Sequence, residues 1–188
     1  MAYSSRFSDG RRSDYEGGYY SEDELNLSAL PAFLRNDDLT DWLYTIQTNT
    51  PEAYLYSLKR QRESGSELWL MTALMKAERN SSEVARLLEA ANNTSRTAPG
   101  YQTIGYHQAR LLIDLGKTAE ATKLIDDVLA VCDDLPISTR NNFLDQRRRI
   151  TESLDDFLRF SLRKPYAWDF SGSVGSIDEM IAREKTYY

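Results

Sequence analysis

The chain has 188 residues, 41% hydrophobic and 28% charged, enough to bury a core beneath an ordinary polar surface. Its formal net charge of −6 argues against a protein built to neutralise nucleic-acid phosphates, which needs a basic face. A single cysteine, Cys132, rules out an intramolecular disulfide, and with a single histidine, His107, neither a metal centre nor a cofactor site is expected.

No apolar run reaches the ~20 residues that cross a bilayer. Residues 1–6 lead into polar sequence and not into the apolar core of a leader, so the expected location is cytoplasmic. Asn26, Asn80, Asn92 and Asn93 stand in glycosylation sequons, read here as chance. Composition divides the chain into zones. Residues 1–36 form an N-terminal arm; its first 24 positions hold Ser, Gly, Arg, Asp and Tyr with almost no aliphatic side chains. Such a segment cannot bury a core, and it is expected to be flexible or ordered by a partner. Residues 37–163 carry helical periodicity. Residues 164–188 return to Gly, Ser and aromatics as a C-terminal arm.

The elements follow in order. Asp38-Leu39-Thr40-Asp41-Trp42-Leu43-Tyr44-Thr45-Ile46 reads as a short first helix. Thr50-Pro51-Glu52 starts a second: Thr caps, Pro suits the first helical position, and Glu complements the positive helix end. It runs to about Glu63 and stops at Gly65. Ser66-Glu67 opens a third, through Leu68, Met71, Leu74 and Met75. A fourth follows Asn80-Ser81-Ser82, with Val84, Leu87, Leu88 and Ala91 on one stripe. After Pro99-Gly100, Tyr106, Ala109, Leu112 and Ile113 form one face of a fifth, ended by Gly116. Ala121, Leu124, Ile125 and Val128 mark a sixth. Beyond Pro136 a seventh runs through Leu144 and Ile150. Ser153-Leu154-Asp155-Asp156 caps an eighth, with Leu154, Phe157, Leu158 and Leu162 apolar. No segment shows a run of strand-like alternation.

Residues 69–91 match residues 106–128 at a shift of 37: Trp69 with Tyr106, Thr72 with Ala109, Leu74-Met75 with Leu111-Leu112, Val84 with Ala121, Leu87-Leu88 with Leu124-Ile125, Ala91 with Val128. Stacked helical hairpins produce such a match, because one hairpin cannot bury its apolar face alone. The best-defined copy, Tyr106 to Val128 with Ala109, Leu112, Gly116, Glu120 and Ala121 in register, resembles the tetratricopeptide family. Ala109 and Ala121 stand at that family's small contact positions, Gly116 at its turn, and Pro136 a little after its closing proline. Residues 138–163 fit poorly: their turn lacks glycine, and Arg147 stands where a small residue belongs.

The resemblance implies an all-α fold, a short right-handed superhelix of about three to four stacked hairpins with extended arms. It also implies a protein-binding role, with a concave face presenting Tyr106, Arg110 and Ile113 and with Thr103 at its edge. Arg110 there either binds a partner carboxylate or pairs with Asp114, its i+4 neighbour.

The remaining candidates read more plainly. His107 has no nucleophile or orienting carboxylate at a recognisable spacing. Cys132 reads as a small apolar residue. The acidic pairs Asp126-Asp127, Asp133-Asp134 and Asp155-Asp156 lack the alternation of a calcium loop. No glycine cluster ends as a phosphate loop does. Arg147, Arg148 and Arg149 are the one basic cluster, either a patch for an acidic ligand or arginines that helical periodicity sends in different directions.

The arms offer Tyr15, Tyr19 and Tyr20 on one side. On the other, Tyr166, Trp168 and Phe170 precede Ser176-Ile177-Asp178-Glu179, a capping-box pattern opening a short amphipathic helix with Ile177, Met180 and Ile181 on one face. That helix suits docking on its own repeat or on a neighbour. The expected function is a non-enzymatic scaffold or accessory subunit of a multi-protein assembly, with homo-oligomers also open. Alternatives are a peptide-binding adaptor using Tyr106 and Arg110, and a nucleic-acid binder using the arginine cluster.

Overall fold

The computed structural model describes residues 31–131 and 135–163 and the backbone of 166–168 and 174–176. The helices are α1 (Ala32–Arg35), α2 (Asp38–Gln47), α3 (Pro51–Ser64), α4 (Glu67–Lys76), α5 (Val84–Asn92), α6 (Tyr101–Asp114), α7 (Thr118–Val131), α8 (Ile137–Arg148) and α9 (Leu154–Ser161). Local chemistry explains their ends. Asp37, Thr50 and Ser153 cap α2, α3 and α9 by accepting from the backbone N–H of Thr40, Ala53 and Asp156. Gly116 has φ of 74°. Its N–H donates to the Ile113 carbonyl and that of Lys117 to Leu112, the paired bonds of a left-handed helix stop. Gly65 stops α3 with φ of 64° and a single bond from its N–H to the Gln61 carbonyl.

Two elements differ from the sequence reading. The one-turn α1 lies inside the segment assigned to the N-terminal arm. The expected absence of strands is corrected by β1 (Tyr166–Trp168) and β2 (Val174–Ser176), which pair antiparallel with Tyr166 opposite Ser176 and Trp168 opposite Val174. Three residues are too few for a period-2 pattern to register, although Tyr and Trp favour strands. Ser176 ends β2, and the helix expected from Ile177 lies outside the described residues.

The helices stack as hairpins. Even-numbered α2, α4, α6 and α8 pack each on the next, and the odd-numbered helices α3, α5, α7 and α9 pack against them. The most extensive pairings are α3 with α4 and α6 with α7. The 37-residue match is visible as burial: Leu74 and Leu111 are fully buried, as are Thr72 and Ala109, with Val84, Ala91, Ala121 and Val128 nearly so. Met75 departs from it, being exposed where Leu112 is buried. The core runs in two parts. One joins Leu58, Leu74, Leu87, Ile104 and Leu111; the other gathers Ala109, Ile125, Val128 and Phe143. Each leucine removed from water stabilises the fold by about 1.5–3 kcal/mol.

Polar groups tie the even row together. Helix C-termini leave carbonyls unpaired and carry partial negative charge. At the end of α2, the Lys76 ammonium donates to the carbonyls of Ile46 (3.2 Å) and Thr48 (2.6 Å). At the end of α4, Arg110 Nη2 donates to those of Leu74 (2.9 Å), Ala77 (2.9 Å) and Met75 (3.4 Å). Helices α4 and α6 thus each supply the cation that closes the even helix before it. Nearer the N-terminus, Tyr56 OH donates to Asp41 Oδ2 at 2.6 Å, and Trp69 Nε1 to Asp38 Oδ1 at 2.9 Å. Arg60 bridges both carboxylates and lies 5.1 Å over the Trp69 ring. Burial, reinforced by the Asp41 carboxylate, pushes the Tyr56 phenol up to about 12.

Candidate functional site

The expected Tyr106–Arg110–Ile113 face is built into the packing. Tyr106 meets Phe143 edge-on with ring centroids 6.1 Å apart, and Ile113 packs against both parts of the core. Arg110 spends its guanidinium on the end of α4 and on Asp114, 3.3 Å away. Thr103 is exposed. His107 is partly buried with an enclosed, unpaired Nδ1; burial and the nearby Arg110 push its imidazole down to about 4. Tyr15, Tyr19, Tyr20, Phe170, Ile177, Met180 and Ile181 lie outside the described residues, as does Cys132. Tyr166 and Trp168 are placed as backbone in β1.

The surface that stands out lies at the other end of the stack, on α7, α8 and α9. Spacing fixes one apolar stripe on α9, Leu154, Phe157 and Leu158, with Leu162 just beyond it. Nothing among the described residues buries that stripe: the four are 71, 40, 55 and 78% exposed. Below it, α8 turns Phe143 and Gln146 inward, and Arg140 and Arg147, one turn to either side of Phe143, flank the same face.

The arginines diverge as helical periodicity requires. Arg147 Nε donates to Asp126 Oδ1 at 2.9 Å and its guanidinium lies 4.6 Å from the Phe160 ring centroid. Arg148 donates to Asp145 Oδ1 at 2.7 Å and its guanidinium lies 5.4 Å from the Phe157 ring centroid. Arg163 reaches the same Asp145 oxygen at 2.6 Å. Partial burial pushes the Asp145 carboxyl up, but the hydrogen bonds from Arg148 and Arg163 outweigh it and hold it below its ordinary value. Arg149 is exposed beyond the helix end.

Between α7, α8 and α9 lies an open groove of about 600 Å³ with Leu129, Leu144 and Phe160 as apolar lining and, as charge, Arg140, Arg147 and Arg159 against Asp126 and Asp156. Arg140 and Arg159 have no carboxylate partner among the described residues. Chemically the groove offers stacking, apolar contact and guanidinium donors to an acidic chain. It offers no nucleophile with a base. Among the described residues no cluster of His, Cys, Asp or Glu suits a metal ion, and no helix is long and apolar enough to cross a membrane.

The sequence reading found both halves of this surface, the stripe and the arginine cluster, but not that they adjoin. It missed Phe143 and Lys76. Phe143 was legible in principle, one position before Leu144 on an otherwise polar helix. Comparison of the chain with protein-family models, with curated proteins and with solved structures returned no match.

Proposed function

We propose that the protein is a non-enzymatic, tetratricopeptide-like scaffold that docks protein partners on the α7–α9 end of its helical stack, with the two arms as further contacts. The supporting observation is the uncovered α9 stripe beside arginines stacked on Phe157 and Phe160. Stacked-helix proteins need a polar cap on their terminal repeats, and an apolar terminal face rimmed by oriented guanidiniums suits a partner better than water. The repeat similarity between residues 69–91 and 106–128 supports the tetratricopeptide-like reading.

The test is co-purification of tagged full chain against a Phe157→Asp, Leu158→Asp double variant. These side chains are exposed, so helical circular dichroism is expected to stay unchanged while associated proteins are lost. Retention of the same associated proteins by the variant would overturn the proposal.

A further inference from the structure

The groove between α7, α8 and α9 holds three guanidiniums against two carboxylates: Arg147 takes Asp126, Asp156 also lines it, and Arg140 and Arg159 have no carboxylate partner among the described residues, over an apolar lining of Leu129, Leu144 and Phe160. Thirty residues precede Pro31. They include Tyr19-Tyr20-Ser21-Glu22-Asp23-Glu24-Leu25-Asn26-Leu27, three consecutive carboxylates followed by alternating leucines. The charge and apolar pattern of that stretch complements the groove. We infer that residues 19–30 of one copy of this chain occupy the α7–α9 groove of a second copy, joining the two head to tail.

Carboxylates of Glu22, Asp23 and Glu24 answer Arg140 and Arg159 by charge-assisted hydrogen bonds, and Leu25 and Leu27 meet the apolar lining. Reach decides between the chain's own groove and a neighbour's. From the triplet Glu22–Glu24 to Pro31 there are seven to nine residues, which span at most about 25–32 Å fully extended. From α2 to α8 the even row takes three helix-to-helix steps, roughly 25–30 Å, before the chain has rounded α8 to the groove. The acidic triplet meets its own groove only with the arm drawn out nearly straight, which costs it chain entropy, whereas a neighbour's groove imposes no such stretch. A head-to-tail contact uses different patches on the two copies, so it propagates unless the ring closes. The inference rests on the groove being a protein-docking surface, as proposed above.

The experiment is sedimentation velocity of the 188-residue chain over a concentration series. It is run at about 50 mM and about 500 mM salt. Two charge reversals accompany it: Arg140→Glu with Arg159→Glu, and Glu22→Lys, Asp23→Lys with Glu24→Lys. The expected result is concentration-dependent association at low salt, weakened by high salt and weakened roughly tenfold or more by either reversal. An equimolar mixture of the two reversed proteins is expected to recover pairing, since a basic arm then meets an acidic groove.

A chain that stays monomeric at every concentration overturns the inference. So does association indifferent to salt and to both reversals. A monomer that binds a synthetic peptide of residues 15–30 only after its own residues 1–30 are deleted would put the arm in its own groove, overturning the contact between copies. Loss of foreign partners on Phe157→Asp, Leu158→Asp in a chain that never self-associates would leave the docking proposal standing and remove this one.

Discussion

Arg110→Met separates a structural arginine from a ligand-binding one. The side chain stands where a tetratricopeptide-like groove would bind a partner carboxylate, but its Nη2 reaches three carbonyls at the end of α4, two of them at 2.9 Å. Hydrogen bonds to a charged group contribute about 1.5–3 kcal/mol each, less whatever water restores. Met75 is exposed, so water reaches part of this helix end once the guanidinium is gone. Methionine keeps the apolar stem and its packing. A net loss of about 2–3 kcal/mol follows, equivalent to about 5–10 °C in Tm for a domain of this size. Lysine at the same position keeps the charge but not the fork, and is expected to recover about half of that loss. Arg149→Met, an exposed arginine past the end of α8, serves as the control and is expected to stay within about 0.5 kcal/mol of the parent. Urea unfolding with unchanged m-values provides the measurement. Stability of Arg110→Met indistinguishable from the control would refute the capping role and return the arginine to the groove. Any peptide-capture defect of Arg110→Glu must accordingly be read beside its unfolding curve.

Other substitutions probe the same frame. Tyr56→Phe removes the donor to Asp41, a fully buried carboxylate whose Oδ1 already lacks a partner; a loss of about 1–3 kcal/mol is expected by urea unfolding, and a neutral result would mean that water satisfies the site. Gly105→Ala is expected to stabilise by about 0.5–1 kcal/mol. The reason is that the new methyl would sit 3.8 Å from Phe143 and 4.0 Å from Val128, ordinary contact distances inside α6; a lower thermal midpoint would show that this junction is tighter than its geometry. His107 is pushed from 6.5 down to about 4 in the fold by burial and by Arg110. The unfolded chain therefore takes up the proton first, so this stability is present above the ordinary histidine value and is lost as pH falls through about 4. The loss between pH ~7.5 and ~4 is about 3 kcal/mol, and His107→Gln should flatten that limb of the stability–pH curve; an identical limb in the variant would place its origin elsewhere.

What the sequence made legible follows from which interactions are local. Thr50-Pro51-Glu52, Ser153 and Gly116 act within a few residues of themselves, and each cap or stop stands as expected. The stripe Val84, Leu87, Leu88 and Ala91 matches the buried set of α5 residue for residue. The cations at helix ends were not legible, because Lys76 acts across 28–30 residues and Arg110 across 33–36. Nothing near either residue in sequence distinguishes a cation that closes a distant helix from one that faces solvent. The i+4 alternative for Arg110, a pair with Asp114, is present too, which shows how a correct local contact can conceal a larger distant role.

The α9 surface exposes a different limit. A hydrophobic stripe at helical spacing states that one face is apolar; it does not state what covers that face. The stripes of α5 and α9 look alike as sequence, yet the first is buried and the second, Leu154, Phe157, Leu158 and Leu162, is not. Position in the stack makes the difference. The α5 stripe has α4 and α6 on either side, whereas α9 packs on α8 at the last described hairpin. Burying α5 stabilises this fold; burying α9 requires something the helical stack does not supply. The same reasoning turns the arginines from a charge count into a surface: stacked on Phe157 and Phe160 and braced by Asp126 and Asp145, Arg147 and Arg148 lose little further side-chain freedom on contact. An end of the helical stack that no described residue covers, and whose arginines are already ordered, supports the proposed docking at α9 over the better-conforming repeat at α6 and α7.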